Sequence, residues 1–515
     1  MHCRKGQNMH TTDKTPLEIA IEKRLSDTGS TWLALKDAKG LDIQKGVVDG
    51  LVVLRKRKQT TYVTTKRIDD MERFCAKQIM LKTLRPIQKT VSIEVINELI
   101  TSFEKSKSET FHFCDEQKEG IRLMVNSNLC ILTGGPGTGK TSVIECVAYV
   151  LKATAERHIG IQFTAPTGKA AKRITESSGY SASTIQKYTG GFGGNSIIRR
   201  CHDYLFCDES SFIDLETLYI MMKSLFKNVS LFLIGDINQL PSVGIGAVLR
   251  DLIDCGYIPY VHLTQTFRQD DASVLYENIQ LINDGCPLPL SDGPDFLRIR
   301  TEDNILENCV SSYLEGVKMY GYEETAILTP LKKKGIICAN KLNDKLQELI
   351  NPPSNNLPYL KTKVTRDGYS RNIVFKVGDP VISLDNTKDN VANGEVGKIV
   401  SVSEGKIKVV FAGEKHSYSG KKLNQLDLAY ALTIYKAQGS EYKYVILPFL
   451  EENRNLDRNM INTGVSRAKK YCVVIGKDKV IQNACKKQSS WNRITFLRED
   501  LLIAKRSLEI KSSVI

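Results

Sequence analysis

Short apolar runs, each closed by a cluster of glycine and polar residues, recur through the middle of the chain. Leu129–Leu132 leads into Thr-Gly-Gly-Pro-Gly-Thr-Gly-Lys140-Thr, and Ile159–Phe163 into Thr-Ala-Pro-Thr-Gly-Lys169. Tyr204–Cys207 leads into Asp208-Glu209-Ser-Ser, Val229–Ile234 into Gly235-Asp236-Ile-Asn-Gln239-Leu-Pro-Ser-Val-Gly244, and Val261–Leu263 into Thr264-Gln-Thr-Phe-Arg268-Gln269. Stretches with helical spacing lie between them: Ser142–Lys152, Ala170–Ser177 and Leu215–Phe226. Strands alternating with helices predict a doubly wound parallel sheet. In such sheets ligands bind beyond the carboxyl ends of the strands, where these polar clusters fall.

A second set of apolar runs follows at Thr325–Leu328, Tyr444–Leu447 and Tyr471–Ile475. It has no glycine phosphate loop and carries instead Gln438-Gly-Ser-Glu441 and Asn462-Thr-Gly-Val-Ser-Arg467-Ala-Lys469. Two α/β lobes with one loop predict a nucleotide site in the cleft between them. Residues 346–427 differ in character, with β-branched runs and Asn393-Gly394 before Glu395–Val402, a strong hairpin signal. They predict a small β-barrel inserted in the second lobe. The first 108 residues look separate: helix over Leu17–Leu25, a hairpin of Leu51–Leu54 and Thr60–Thr64 around Arg55-Lys-Arg-Lys58, and helix over Asp69–Leu84. That basic run either touches DNA or a partner, or is a solvated turn. The expected division is 1–108, 109–270, 271–345 with 428–480, the insert 346–427, and a tail from 481 to 515.

Gly134 to Thr141 fits G-x-x-x-x-G-K-[ST] between a strand and a helix. Gly135, Pro136, Gly137, Thr138 and Gly139 would wrap backbone N–H groups around a polyphosphate at a helix N-terminus. Lys140 would reach the β- and γ-phosphates of ATP, and Thr141 would ligate Mg²⁺. Asp208 would hold the same Mg²⁺ while Glu209 polarises the attacking water. Gln239 would sense the γ-phosphate, and Arg268 and Arg467 would neutralise charge on the transferred group.

The sequence has 515 residues, room for roughly three or four domains, and 72 Lys and Arg against 58 Asp and Glu, a net charge of +14. That excess favours a polyanionic partner. The 13 cysteines are scattered without a C-x-x-C pair, which predicts reduced thiols in an intracellular compartment. The polar start Met1–Lys14 and the lack of a long apolar run predict neither export nor a membrane span.

The motifs, in the order Gln117, phosphate loop, Ala165-Pro-Thr-Gly-Lys169, Ser183-Thr184-Ile185, Asp208-Glu209, Gly235-Asp236 to Gly244, Thr264 to Gln269, Ala429 to Glu441 and Asn462 to Ala468, resemble superfamily 1B DNA helicases of the RecD/TraA type. The resemblance covers about 110–480. It implies two RecA-like lobes, an SH3-like insert that helps grip the strand, and 5′-to-3′ translocation on single-stranded DNA. It implies that Gln117 contacts adenine and that Gly439 and Glu441 line the nucleotide cleft. Pro166, Thr167, Thr184, Ser242, Val243, Thr433 and Lys436 would touch the strand. A glycine-rich hairpin at about 189–202 would split the duplex, Phe192 offering a flat apolar face to the terminal base pair. Gln186 and Tyr435 stand where histidine is frequent in the family, and Asn462 where tyrosine is. A motor subunit that remodels protein–DNA complexes without unwinding alone, docked through its N-terminal region, and an RNA helicase remain alternatives.

Overall fold

The computed structural model describes residues 14–513 except 88, 191–201, 268–272, 302, 334, 353–356, 367–368, 386–390, 392, 412, 451–455 and 489–491. The expected hairpin around Phe192 and the arginine at 268 lie outside the described residues.

The fold is α/β and built on two parallel sheets. The first has six strands in the order Ala182–Thr184, Ile161–Ala165, Tyr204–Cys207, Ser230–Gly235, Leu129–Gly134 and Tyr260–Leu263, every pair parallel. The central strands Leu129–Gly134 and Ser230–Gly235 are buried along their whole length, as continuous apolar runs demand when helices cover both faces. The second sheet orders Phe296–Ile299, Ala468–Gly476, Tyr442–Phe449, Thr325–Thr329 and Ala431–Thr433, again all parallel. Ala182–Thr184, Phe296–Ile299 and Ala431–Thr433 escape the sequence reading, since none is a run of apolar residues alone and the first and last overlap motifs read for their polar residues.

Between Thr325–Thr329 and Ala431–Thr433 the chain forms an antiparallel hairpin, Tyr359–Arg366 with Tyr369–Lys376. A five-stranded antiparallel sheet follows, over 380–428. Phe375, Ile399, Val409, Phe411 and Leu426 share one core there. Asn393-Gly394 closes the connection between Pro380–Ser383 and Val396–Ser403, with Gly394 N–H donating to Ser383 O at 2.9 Å. That connection is longer than the two-residue turn its Asn-Gly signature suggests.

The N-terminal region is not separate. Its helices Pro16–Thr28 and Lys66–Thr83 and its three-stranded sheet share one core with the first parallel sheet. Ile21, Leu25, Met71 and Ile79 lie in the same cluster as Leu218, Met221 and Leu252. Helix Ile93–Lys107 likewise packs Ile96, Ile100 and Phe103 beside Ile121 and Val147. The segment expected as a tail ends in a helix, Leu497–Ser513, whose Leu497 and Leu501 join the N-terminal cluster. The basic run explains the docking: Arg55 pairs with Asp69 and, at 2.8 Å, with Asp500, and Arg57 pairs with Glu499 at 2.8 Å. Alternate positions of that strand are thus spent on the C-terminal helix, a use no local pattern announces. Among the described residues no helix is long and apolar enough to cross a membrane. The described cysteines are free thiols, all but Cys114 buried.

Candidate nucleotide and strand-binding site

The phosphate loop leaves the central strand and turns into helix Lys140–Thr154. Gly137 and Gly139 both take φ 77°, a left-handed conformation that glycine adopts freely. Gly139 has a second constraint, since a Cβ there would stand 2.3 Å from Gln117 Nε2. Gln117 is 4% exposed. Its amide donates to Thr138 O at 3.0 Å and its carbonyl oxygen accepts from Cys114 N–H at 3.0 Å. The side chain assigned to adenine therefore braces the loop from beneath. Thr138 Oγ1 donates to Gly135 O at 2.9 Å, and Lys140 Nζ donates to the carbonyls of Gly134 and Gly135 at 2.8 and 2.7 Å.

A cavity of about 280 Å³ opens above this loop. Pro136, Gly137, Gly139, Lys140 and Thr141 form its floor; Asp208, Glu209, Asp236 and Gln239 form one wall; Glu441 and Arg467 come from the second sheet. Burial holds Lys140 below the usual lysine range, while Asp236, Asp208 and Glu209 oppose that shift. Glu209 moves the other way: burial and the neighbouring Asp208 charge raise its carboxyl, with Arg467, Arg173 and Lys140 pulling it back. Glu209 also sits at φ 53°, a strained conformation for a side-chain-bearing residue that clusters at functional sites. Asp208 Oδ1 accepts its N–H at 2.8 Å and so fixes the turn.

Arg467 is 3% exposed. Its Nε donates to Thr463 O at 3.1 Å, Nη1 to Ser440 O at 3.3 Å and Nη2 to Ser466 Oγ at 3.3 Å. Burial lowers its pKa, and Glu209 is the first charge that counters the loss. The opposed pair spans the two sheets. Gln239 Nε2 donates to Asp236 Oδ2 at 3.1 Å, which ties it to the carboxylate facing Lys140.

Sequence reasoning missed Arg173. It lies one helical turn beyond Lys169 on helix Gly168–Ser178, lines the cavity and pairs with Glu441 at 3.2 Å. The i, i+4 spacing from Lys169 was the available signal. Asn462 is the other surprise. Where the family often has tyrosine, this side chain is buried and its Nδ2 donates to Asn238 O at 3.0 Å. Asn459 Nδ2 donates to Gln239 O at 2.9 Å, and Thr463 Oγ1 accepts from Leu240 N–H at 2.8 Å. Helix Arg458–Val465 thus holds the loop after Asp236 directly.

The strand candidates fall on both sheets. Thr167, Thr184 and Thr433 cap the helical turns that follow them, each accepting an N–H from Ala170, Lys187 and Lys436 at 3.1–3.3 Å. Pro166 precedes the first cap, and Lys436 belongs to the turn Ile434–Ala437. Ser242 is buried, while Val243 beside it is 76% exposed. Gly439, at φ 70°, approaches across the cleft: a Cβ there would come within 3.3 Å of Thr167 Oγ1.

Two family models match the chain, an AAA domain over residues 112–292 and a UvrD-like helicase C-terminal domain over 428–475. The ATP-dependent RecD2 DNA helicase of Deinococcus radiodurans is 28% identical over 381 residues, covering 73% of this chain and 50% of that protein. The RecBCD enzyme subunit RecD of Haemophilus influenzae is 26% identical over 496 residues, covering 79% and 76%. The chain is similar to RecD-type DNA helicase proteins over about three quarters of its length. The chain spans about half the length of the Deinococcus relative. A solved structure of Pif1 helicases at forked double-stranded DNA aligns with a TM-score of 0.46 at 17% identity, over 70% of this chain and 92% of that one.

Proposed function

We propose that this chain is an ATP-driven DNA helicase that moves 5′ to 3′ along single-stranded DNA and opens the duplex ahead of it. The observation that carries the reading is one cavity on which Lys140, Asp208 and Glu209 of the first sheet converge with Arg467 and Glu441 of the second. The loop amides and Lys140 bind the β- and γ-phosphates. Glu209 orients the attacking water and takes its proton. Arg467, with Arg268, neutralises charge on the transferred group, and Gln239 registers the γ-phosphate next to Asp236. Thr141 and Asp208, both lining the cavity, offer a hydroxyl and a carboxylate, the oxygen donors that Mg²⁺ takes; the ion would screen phosphate charge there.

Strand contact falls to Pro166, Thr167, Thr184, Ser242 and Val243 on one RecA-like lobe and to Thr433 and Lys436 on the other. Because Gly439 abuts Thr167, closing the cleft around ATP shifts one set against the other by a step. The insert acts as an SH3-like grip on the strand, and the N-terminal region offers exposed Val47 and Val48 to a protein partner. The relatives' names favour DNA over RNA.

Strand displacement on DNA and RNA duplexes with a 5′ or a 3′ single-stranded tail tests the proposal. Unwinding of the 5′-tailed DNA alone is expected. DNA-stimulated ATP hydrolysis without displacement would turn the reading into a remodelling translocase. Preference for a 3′ tail or for RNA would overturn it.

A further inference from the structure

The loop from Asn238 to Gly246 is held in two halves by two parts of the chain. Its first half hangs on helix Arg458–Val465 through Asn459, Asn462 and Thr463. Its second half is held by Arg493, which lies beyond both parallel sheets in sequence. Arg493 Nη1 donates to Ser242 Oγ at 3.1 Å, Gly244 O at 3.0 Å and Gly246 O at 2.7 Å, and Nη2 donates to Ser242 O at 2.6 Å. Room for the guanidinium comes from Gly29, whose φ is 69° and where a Cβ would meet Arg493 Cζ at 2.7 Å. Gly29 O in turn accepts from Gly246 N–H at 2.8 Å. Tyr435, in the strand motif of the second sheet, and Asp214 face the same charge.

We infer that Arg493 is a positioning residue that sets the Ser242–Val243 edge against the single strand, independently of the nucleotide half of the loop. The inference rests on the helicase reading. One planar fork satisfies three alternate carbonyls, those of residues 242, 244 and 246, and the Ser242 hydroxyl, a geometry lysine cannot copy. With this half fixed, movement of helix Arg458–Val465 on cleft closure bends the loop at Pro241, between the two holds. Val243 stays presented while Gln239 follows the nucleotide.

The test is ATP hydrolysis by the full chain titrated with a thymidine oligonucleotide. In Arg493→Ala the oligonucleotide concentration giving half-maximal stimulation should rise about tenfold, the order expected for losing charged hydrogen bonds. The DNA-free rate and the KM for ATP should stay within about twofold. Arg493→Lys should fall between. Arg57→Ala is the control: it loosens the C-terminal segment at Thr495, Glu499 and Phe496 without touching the loop, and should stimulate like wild type. If Arg493→Ala does not fold, Arg493→Lys carries the comparison. Unshifted half-stimulation in both Arg493 variants, or an equal shift in Arg57→Ala, would overturn the inference and leave Arg493 as a docking residue. A wild-type chain that DNA does not stimulate would overturn the helicase reading itself, and this inference with it.

Discussion

The two parallel sheets share an architecture and bring different kinds of group to the cavity between them. The first offers backbone: a glycine loop braced by Gln117, a helix N-terminus and an acidic pair at a strand end. The second has no such loop and acts through long side chains, Arg467 and Glu441, that cross the cleft. The surroundings differ as well. The first and last described helices pack on the first sheet, through Ile21, Leu25, Leu497 and Leu501, whereas the second carries an insert with a core of its own. In the function proposed above, a braced lobe with a preformed site and a lobe that brings groups to it would divide the labour, closure assembling the catalytic set.

Removing the preformed part should do most damage. In Lys140→Ala, ATP hydrolysis is expected to fall to background while fluorescence anisotropy still reports single-strand binding; near wild-type turnover would place the phosphate site elsewhere. Arg467→Ala should come next, lowering kcat by roughly 10³-fold or more with a smaller change in nucleotide affinity. DNA stimulation should shrink too, and unchanged stimulation would sink the cross-cleft division. A subtler break is Asn462→Ala, which removes the bond to Asn238 O at 3.0 Å. A buried hydrogen bond is worth about 1 kcal/mol, so coupling between DNA and ATP should weaken by several-fold, read as the ratio of stimulated to basal rate.

The smallest effect probes the bracing. Glu72, fully buried, accepts from Thr31 Oγ1 at 2.6 Å, Trp32 Nε1 at 2.7 Å and Phe496 N–H at 3.2 Å. Burial raises its carboxyl from 4.5 to about 7 against those three bonds, which favour the charged form. The folded chain therefore keeps a proton that the unfolded chain releases at lower pH. This contribution to stability is complete below pH 4.5 and is lost as pH rises through about 7. Thermal melting between those limits should show Tm falling with pH, and Glu72→Gln should flatten the slope. An identical slope in the variant would show that the brace does not titrate.

Wherever short-range physics decides, the sequence was sufficient. The strand ending at Gly134, the strand Tyr204–Cys207 before Asp208-Glu209 and the helix after Lys140 all follow from apolar runs, glycines and helix ends within a dozen positions. The insert's strand Lys406–Phe411 is equally local. What the tertiary structure alone decided are contacts between residues hundreds of positions apart. Arg467 faces Glu209, Asn462 holds Asn238, Arg55 reaches Asp500 and Arg493 grips Ser242. A basic run reads the same whether it faces solvent or a helix 440 positions on, because charge pattern records neither burial nor partner. Those are set only when packing excludes water and obliges each buried polar group to find its counterpart.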